Sequence, residues 1–549
     1  MKTPLPLLVL CLAPGLFAQH FDPRPDGALL RLAFDGPARM AAAFAGTNFH
    51  DLLTSKQFTE AWTPVTQAIE QGLDAMKTET PFDPHAAYAA MLRYGGRVEL
   101  TVGVEPSGQE EPTVWAAITL GADGTTDLAA FCAEIERLAL DSKVPLNDRS
   151  VGGQKWLAQD LPTGFVTLPR MVSDRAVILV TSGEEGALAG FFPRTEPPER
   201  KAGAPISVAL DVRRTLDLIG EILDARSGFG DALHAITDAL GFANLTDVEL
   251  EIDRAKRFLD MRMTFTSKGP RRGFLAMVMP NGAKLPAIGA LVQQSPSWSV
   301  APVDFAPLLP LIGALLDAIP DAPVDLAQME ANFVESVGVR LREDLLAHLG
   351  GAVVLATDDA GDADNEFGAL TSMCLGVELR DGVAFGRAME TVLERAGVLE
   401  MRKTEKYRET DVHRVTVPGV GIKVYWAISD RLFLVAAGDG GHARLGSILD
   451  ASAAAARGET PPALSKPVLD RLELVPAHYA GLGVQKFGTL IFDAFLTGFR
   501  EGAGELDFDL DAMIEIIDAL RELCSKHSLD HTVSVTYLDP ERAVSRTIW

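Results

Sequence analysis

Cysteine is scarce: the 549 residues hold four, Cys11, Cys132, Cys374 and Cys524, and no CxxC. Cys11 lies in the N-terminal leader, and the other three are widely separated. They cannot all pair, which argues against a disulfide framework or a cysteine-built zinc site. Buried free thiols are the expectation. Positive charge is also short, with 50 Lys and Arg against 75 Asp and Glu and a net charge of −25. A surface of that sign repels phosphates, which argues against nucleic acid and anionic bilayers as partners. Beyond the leader no stretch of 18 apolar residues runs free of charge, so no membrane span is expected in the mature chain. GxSxG is missing, and the ten histidines are dispersed, none beside a Ser or Cys in a nucleophile pattern. Such sites assemble in space, so a triad stays open as an alternative.

What is present is globular composition, 47% apolar and 23% charged, enough for large cores and unlike a disordered or fibrous chain. The chain begins MKTPLPLLVLCLAPGLFAQ, with Lys2, an apolar run from Pro4 to Leu16, and Ala18 before Gln19. This pattern predicts a signal peptide over residues 1–18 and a periplasmic or extracellular protein.

The sequence also repeats itself at a spacing of about 255 residues. Leu92-Arg93-Tyr94-Gly95-Gly96-Arg97-Val98 matches Ala347-His348-Leu349-Gly350-Gly351-Ala352-Val353, and Ala130-Phe131 matches Ala384-Phe385. Val172-Ser173-Asp174-Arg175 followed by AVILV matches Ile428-Ser429-Asp430-Arg431 followed by LFLV, and Pro197-Pro198 matches Pro461-Pro462. A shorter repeat pairs Leu218–Ala225 with Leu311–Ala318, each after an apolar strand.

Alternating segments such as Val98 to Val102 and Val248 to Ile252 read as strands, and Asp127 reads as the cap of a helix through Leu140. Gly95-Gly96 reads as a left-handed helix end. Alternation suits antiparallel sheets with one wet face. The expected fold class is therefore α+β, in two tandem duplicated domains: 19–278, a linker at 279–297, and 298–549.

Strand-plus-helix openings, the run Val337-Gly338-Val339-Arg340 through Leu346 to Gly351, and Tyr425-Trp426-Ala427-Ile428-Ser429-Asp430 into Leu432 to Val435 resemble large exported bacterial proteins of a domain-of-unknown-function family. The resemblance implies an exported two-domain architecture and carries no activity, cofactor or site residue. Met171-Val172 stands where the second half has its aromatic pair.

Three motifs invite chemistry. Gly438-Asp439-Gly440-Gly441-His442-Ala443 after a strand fits GxGxxA, but Asp439 puts negative charge where phosphate would sit. The corresponding turn from Thr181 to Gly186 lacks the fingerprint. Cys524, His527 and His531, with Asp530 adjacent, have zinc-ligand types but lie across a helix end and a strand start, with no fourth ligand. Asp358, Asp359, Asp362, Asp364 and Glu366 crowd a loop, yet Phe367 stands where a calcium loop needs glycine; the first half has an acidic loop from Glu105 to Glu111. A tight turn, a helix C-terminus and exposed hairpin tips account for these. No catalytic, metal or cofactor residue is therefore assigned. The expectation is an exported, non-enzymatic binding or structural module of the cell envelope, with a protein or apolar ligand as partner. The alternatives are a carrier of apolar ligands in a sheet–helix cleft and a hydrolase with a spatial triad.

Overall fold

The computed structural model describes residues 28–549 except 78–83, 106–112, 123–126, 142–144, 152–153, 163, 173, 183–203, 228–229, 294, 320–323, 358–370, 460–462, 487–521, 523–525, 528 and 530. The leader, the loop 358–366, most of the acidic stretch 105–111, Ser173, Pro197, Pro461 and Cys524 lie outside the described residues. The chain is a mixed α+β protein that divides into two compact units. The first comprises residues to Gly230 plus Thr246–Phe265, and the second Asp231–Leu245 plus Thr266–Trp549.

The first unit runs β1 (Ala28–Asp35), α1 (Pro37–Phe44), α2 (Asn48–Leu53), α3 (Lys56–Lys77), α4 (Pro84–Arg93), β2 (Arg97–Glu105), β3 (Thr113–Gly121), α5 (Leu128–Asp141), β4 (Asn147–Val151), β5 (Gln154–Leu161), β6 (Gly164–Thr167), β7 (Arg170–Val172), β8 (Arg175–Thr181), β9 (Ile206–Asp211) and α6 (Val212–Ser227). After α7 (Gly230–Leu240) come β10 (Leu245–Ala255) and β11 (Phe258–Ser267). Its sheet is antiparallel, in the order β10-β9-β1-β2-β3-β8. Beyond β8 lie β6 and β7, then β5 and β4. Leu168-Pro169 separates β6 from β7, because proline offers no N–H to a ladder.

In β8 the apolar run serves both faces. Val177 and Leu179 pack with Trp115, Ala117, Trp156, Ala158 and Phe165. Ala176 and Ile178 pack with Phe34, Val98, Ile118 and Leu120 under Leu128 and Cys132 of α5. Both faces are thus dry around these strands, where alternation alone suggested one wet side.

The second unit runs from α7 through α8 (Gly273–Val278), β12 (Ser297–Pro302), α9 (Leu308–Ala318), α10 (Leu326–Val337), β13 (Leu349–Thr357), β14 (Met373–Leu379), α11 (Gly382–Arg395), β15 (Lys403–Tyr407), β16 (Thr410–Thr416), β17 (Lys423–Ile428), β18 (Leu432–Ala437), α12 (Gly441–Ala456), α13 (Lys466–Leu472), β19 (Gly481–Lys486), β20 (His531–Leu538) and β21 (Arg542–Ile548). Its antiparallel order is β21-β20-β19-β12-β13-β14-β18-β17-β16-β15. One face packs Trp298, Val300, Val354, Leu434 and Val535 against Leu445 and Ile448 of α12 and Val292 before β12. On the other face Phe385 of α11 lies 5.3 Å from the Phe433 ring, while Leu375 of β14 stays 42% exposed.

Local expectations meet mixed outcomes. Asp127 and Asp381 both cap their helices, accepting from the amides of Ala130 and Ala384. Ser429-Asp430-Arg431 is a hairpin turn closed by the Ser429 amide on the Leu432 carbonyl at 2.9 Å, and Asp174 lies in the corresponding turn before β8. The glycine pairs act differently from a helix end. Gly95 and Gly96 follow α4 without a left-handed φ, and Gly350-Gly351 lie inside β13. Close approach explains the need for glycine: a Cβ on Gly96 would come within 2.3 Å of the Gly121 carbonyl, and one on Gly350 within 2.7 Å of Glu378. Phe385 is buried as expected, whereas Phe131 is only half-buried. Cys132 and Cys374 are both buried, and burial pushes the Cys132 thiol up to about 11.

Candidate functional site

The turn Gly438 to Gly441 is built for packing. Gly438 has φ 81° and donates to the Lys423 carbonyl, and a Cβ there would lie 2.6 Å from the Thr371 carbonyl. Asp439 sits 2.5 Å from the Lys423 ammonium, which holds its carboxyl below the usual range. Both neighbours of β18 are antiparallel to it, so the parallel βαβ frame of a pyrophosphate site is missing here. His527 lies in a turn and His531 opens β20, with Cys524 and Asp530 outside the described residues. Among the described residues no three His, Cys, Asp or Glu side chains group as metal ligands. Nor is any helix among them long and apolar enough to cross a membrane.

Two polar assemblies stand out instead, one in each unit. In the second, His442 at the start of α12 is flanked edge-on by Tyr407 (5.8 Å) and Tyr425 (6.1 Å). The close seating rests on glycine: a Cβ on Gly441 would meet Tyr425 at 2.5 Å, and one on Gly446 would meet Tyr407 at 2.6 Å. Tyr407 donates to Asp450 at 3.0 Å, and that carboxylate raises the phenol's pKa. Arg408 pairs with the same Asp450 at 2.9 Å, and Glu405 lies 3.9 Å from His442 Nε2. Beside it, Thr404 and His413 face each other across β15 and β16 with Oγ1 2.9 Å from Nδ1. His413 leans on Trp426 at 5.4 Å, and burial, reinforced by Arg402, lowers its pKa. A hydroxyl–imidazole pair is the start of a nucleophile site, but a carboxylate must orient the base. Among the described residues none hydrogen-bonds this imidazole.

In the first unit, Asp35 of β1 faces Arg97 of β2 in the ladder, and Arg97 Nη1 is 2.5 Å from Asp35 Oδ1. Glu99 lies 3.9 Å from Arg97 Nε and 3.4 Å from Arg175 Nη1. Gly121 lies opposite Arg175, and a Cβ there would lie 3.3 Å from the Arg97 carbonyl. The side chains of Asp35, Arg97 and Glu99 are 7%, 8% and 11% exposed and that of Arg175 19%. Arg39, more than half exposed, reaches Asp35 at 3.5 Å, and exposed Asp174 lies 3.9 Å from Arg175. Arg97 Nε and Nη2 are buried without a hydrogen-bond partner. Sequence reasoning missed this network because D, R and E at alternate strand positions read as the wet face. It missed the Tyr407–His442–Asp450 assembly because those residues come from separate elements.

These side chains pair mainly with one another, and neither assembly combines a nucleophile, an oriented base and an oxyanion donor. No family model matches the chain, and neither do any curated protein or solved structure.

Proposed function

We propose that the chain is an exported module of the cell envelope that binds or scaffolds rather than catalyses, built from a duplicated α+β domain. The duplicated architecture in this reading is supported by the common strand order of the two sheets. Reading from β10 and from β20, each passes through six strands in the same order: strand, strand, opening strand, the two strands of a hairpin, then a returning strand followed by the outer hairpins. Both hydrogen-bond the residue after the opening strand to a glycine carbonyl, Gly36 to Gly96 and Val303 to Gly351. Both insert an Asp-capped helix, α5 or α11, after the third sheet strand. Charged outer strands such as Lys403-Thr404-Glu405-Lys406 suit modules that must not pair edge to edge. The leader supports export.

Two measurements test this reading. Native protein should begin at or near Gln19 and fractionate outside the cytoplasm; an intact Met1 in cytoplasm overturns export. A fluorophosphonate probe should leave the folded protein unlabelled, and stoichiometric labelling of a serine or threonine overturns the non-enzymatic reading in favour of a hydrolase.

A further inference from the structure

The two sheets solve the same position with opposite chemistry. In the first, the residue before Gly36 is Asp35, opposite Arg97, and the chain returns at Arg175 with Glu99 beside it. In the second, the residue before Val303 is Pro302, opposite Ala352, and by ladder register the chain returns at Leu432, one residue past the Arg431 that matches Arg175 in sequence, with Val354 along its neighbour. Ala352, Val354 and Leu432 are at most 1% exposed. The acid in this second row, Glu378, is opposite Leu432 and accepts from the Gly351 amide at 3.2 Å.

Buried ion pairs contribute less than apolar packing of similar volume, because desolvation offsets the attraction. The first row shows the deficit. Two nitrogens of Arg97 lack a hydrogen-bond partner, and burial outweighs Asp35 and Glu99 and pulls the guanidinium down to about 10. A base with a lowered pKa carries its full burial cost below that value and is relieved only as pH rises through it. Opening the first row returns its charges to water, whereas opening the second exposes apolar side chains.

We propose that the Asp35–Arg97–Glu99–Arg175 row is a weak clasp, so that this end of β1, β2, β3 and β8 opens by local unfolding ahead of the matching end of the second sheet. The acids and bases facing it are Asp35 from β1, Arg39 from α1, Arg97 and Glu99 from β2, Arg175 from β8 and Asp174 from the turn before it. The Tyr94 hydroxyl donates to the Gly121 carbonyl at 2.6 Å and closes the same end. The clasp holds strand register through charge pairing and gives up stability to do so.

Hydrogen exchange by mass spectrometry on the full chain tests this. After correction for intrinsic rates, peptides over β1, β2 and β8 should exchange at least about tenfold faster than those over β12, β13 and β18. The variant D35A/R97A/E99V/R175L, which brings in the second sheet's chemistry, should slow the first set by about tenfold or more. Arg97→Ala alone, which removes the guanidinium set between two buried carboxylates, should speed it by about a hundredfold. Equal or slower exchange of the first set in the unsubstituted protein overturns the proposal without any variant. Faster exchange in a folded fourfold variant overturns it as well.

Discussion

At the row beside the Gly96 and Gly351 carbonyls the first sheet buries two carboxylates and the Arg97 guanidinium, with Arg175 partly exposed, while the second buries alanine, valine and leucine. On the opposite face the contrast reverses. Ile118 of β3 is 4% exposed under α5, whereas Leu375 of β14 is 42% exposed. Backbone pairing therefore does not dictate what fills a sheet face. One ladder accepts an ionic network where the other accepts a dry core, provided each polar group finds a partner or the strand pays a stability cost.

The largest expected effect separates the two Asp-capped helices. Phe385→Ala should cost about 3–5 kcal/mol by chemical denaturation, since it empties a buried site against Phe433. Phe131→Ala, at a half-buried position, should cost about half that, or roughly 1.5–2.5 kcal/mol. Equal costs would mean that the two helices seat alike. Next come the hairpin glycines. Gly164 has φ 133°, and a Cβ there would lie 1.9 Å from the Thr181 carbonyl. Gly164→Ala should therefore cost about 3 kcal/mol or more. Gly419 in the β16–β17 turn has φ 83° with open space around it, so Gly419→Ala should cost only about 1–2 kcal/mol.

Smaller still are the caps. Asp127→Ala and Asp381→Ala should each cost about 1 kcal/mol, and the two losses should agree within a few tenths of that value; a wide gap would break the parallel. The smallest effect concerns acid. His413 has a lowered pKa in the fold, so the unfolded chain binds its proton first as pH falls below about 6.5. The second unit should lose stability there, by at most about 1.4 kcal/mol per pH unit from this one group. His413→Gln should flatten that slope in melts between pH 5 and 7. No strand from β1 to β11 carries a histidine, so a strand-histidine contribution of this kind is absent from the first sheet.

Much of the architecture was legible because it is local. Alternating Val98 to Val102 lies in β2, Asp127 caps α5, and Asp174 and Ser429-Asp430 lie in the turns before β8 and β18. Glycine was legible as necessary but not in its role. Gly96 and Gly350 serve close approach of neighbouring groups, which sequence offers no way to distinguish from a left-handed cap. The four short strands between α5 and β8 are hard to read in the sequence, because strands of mixed polarity such as Asn147–Val151 carry little periodicity. The polar assemblies were illegible for a different reason. Tyr407, His442 and Asp450 belong to β15, α12 and a later turn of that helix, so only the packing of α12 on the sheet brings them together.

The sequence by itself determined the element types, the mixed class, the helix caps, the scarcity of cross-links and the strongly acidic balance, since each follows from neighbours within a few residues or from composition. Tertiary structure decided which face of each strand is dry. Asp35, Arg97, Glu99 and Arg175 look like solvent-facing residues along the chain and become an internal network once β1, β2 and β8 come together. Burial belongs to neighbours that are distant in sequence, and so does the free energy that each charge gains or loses there.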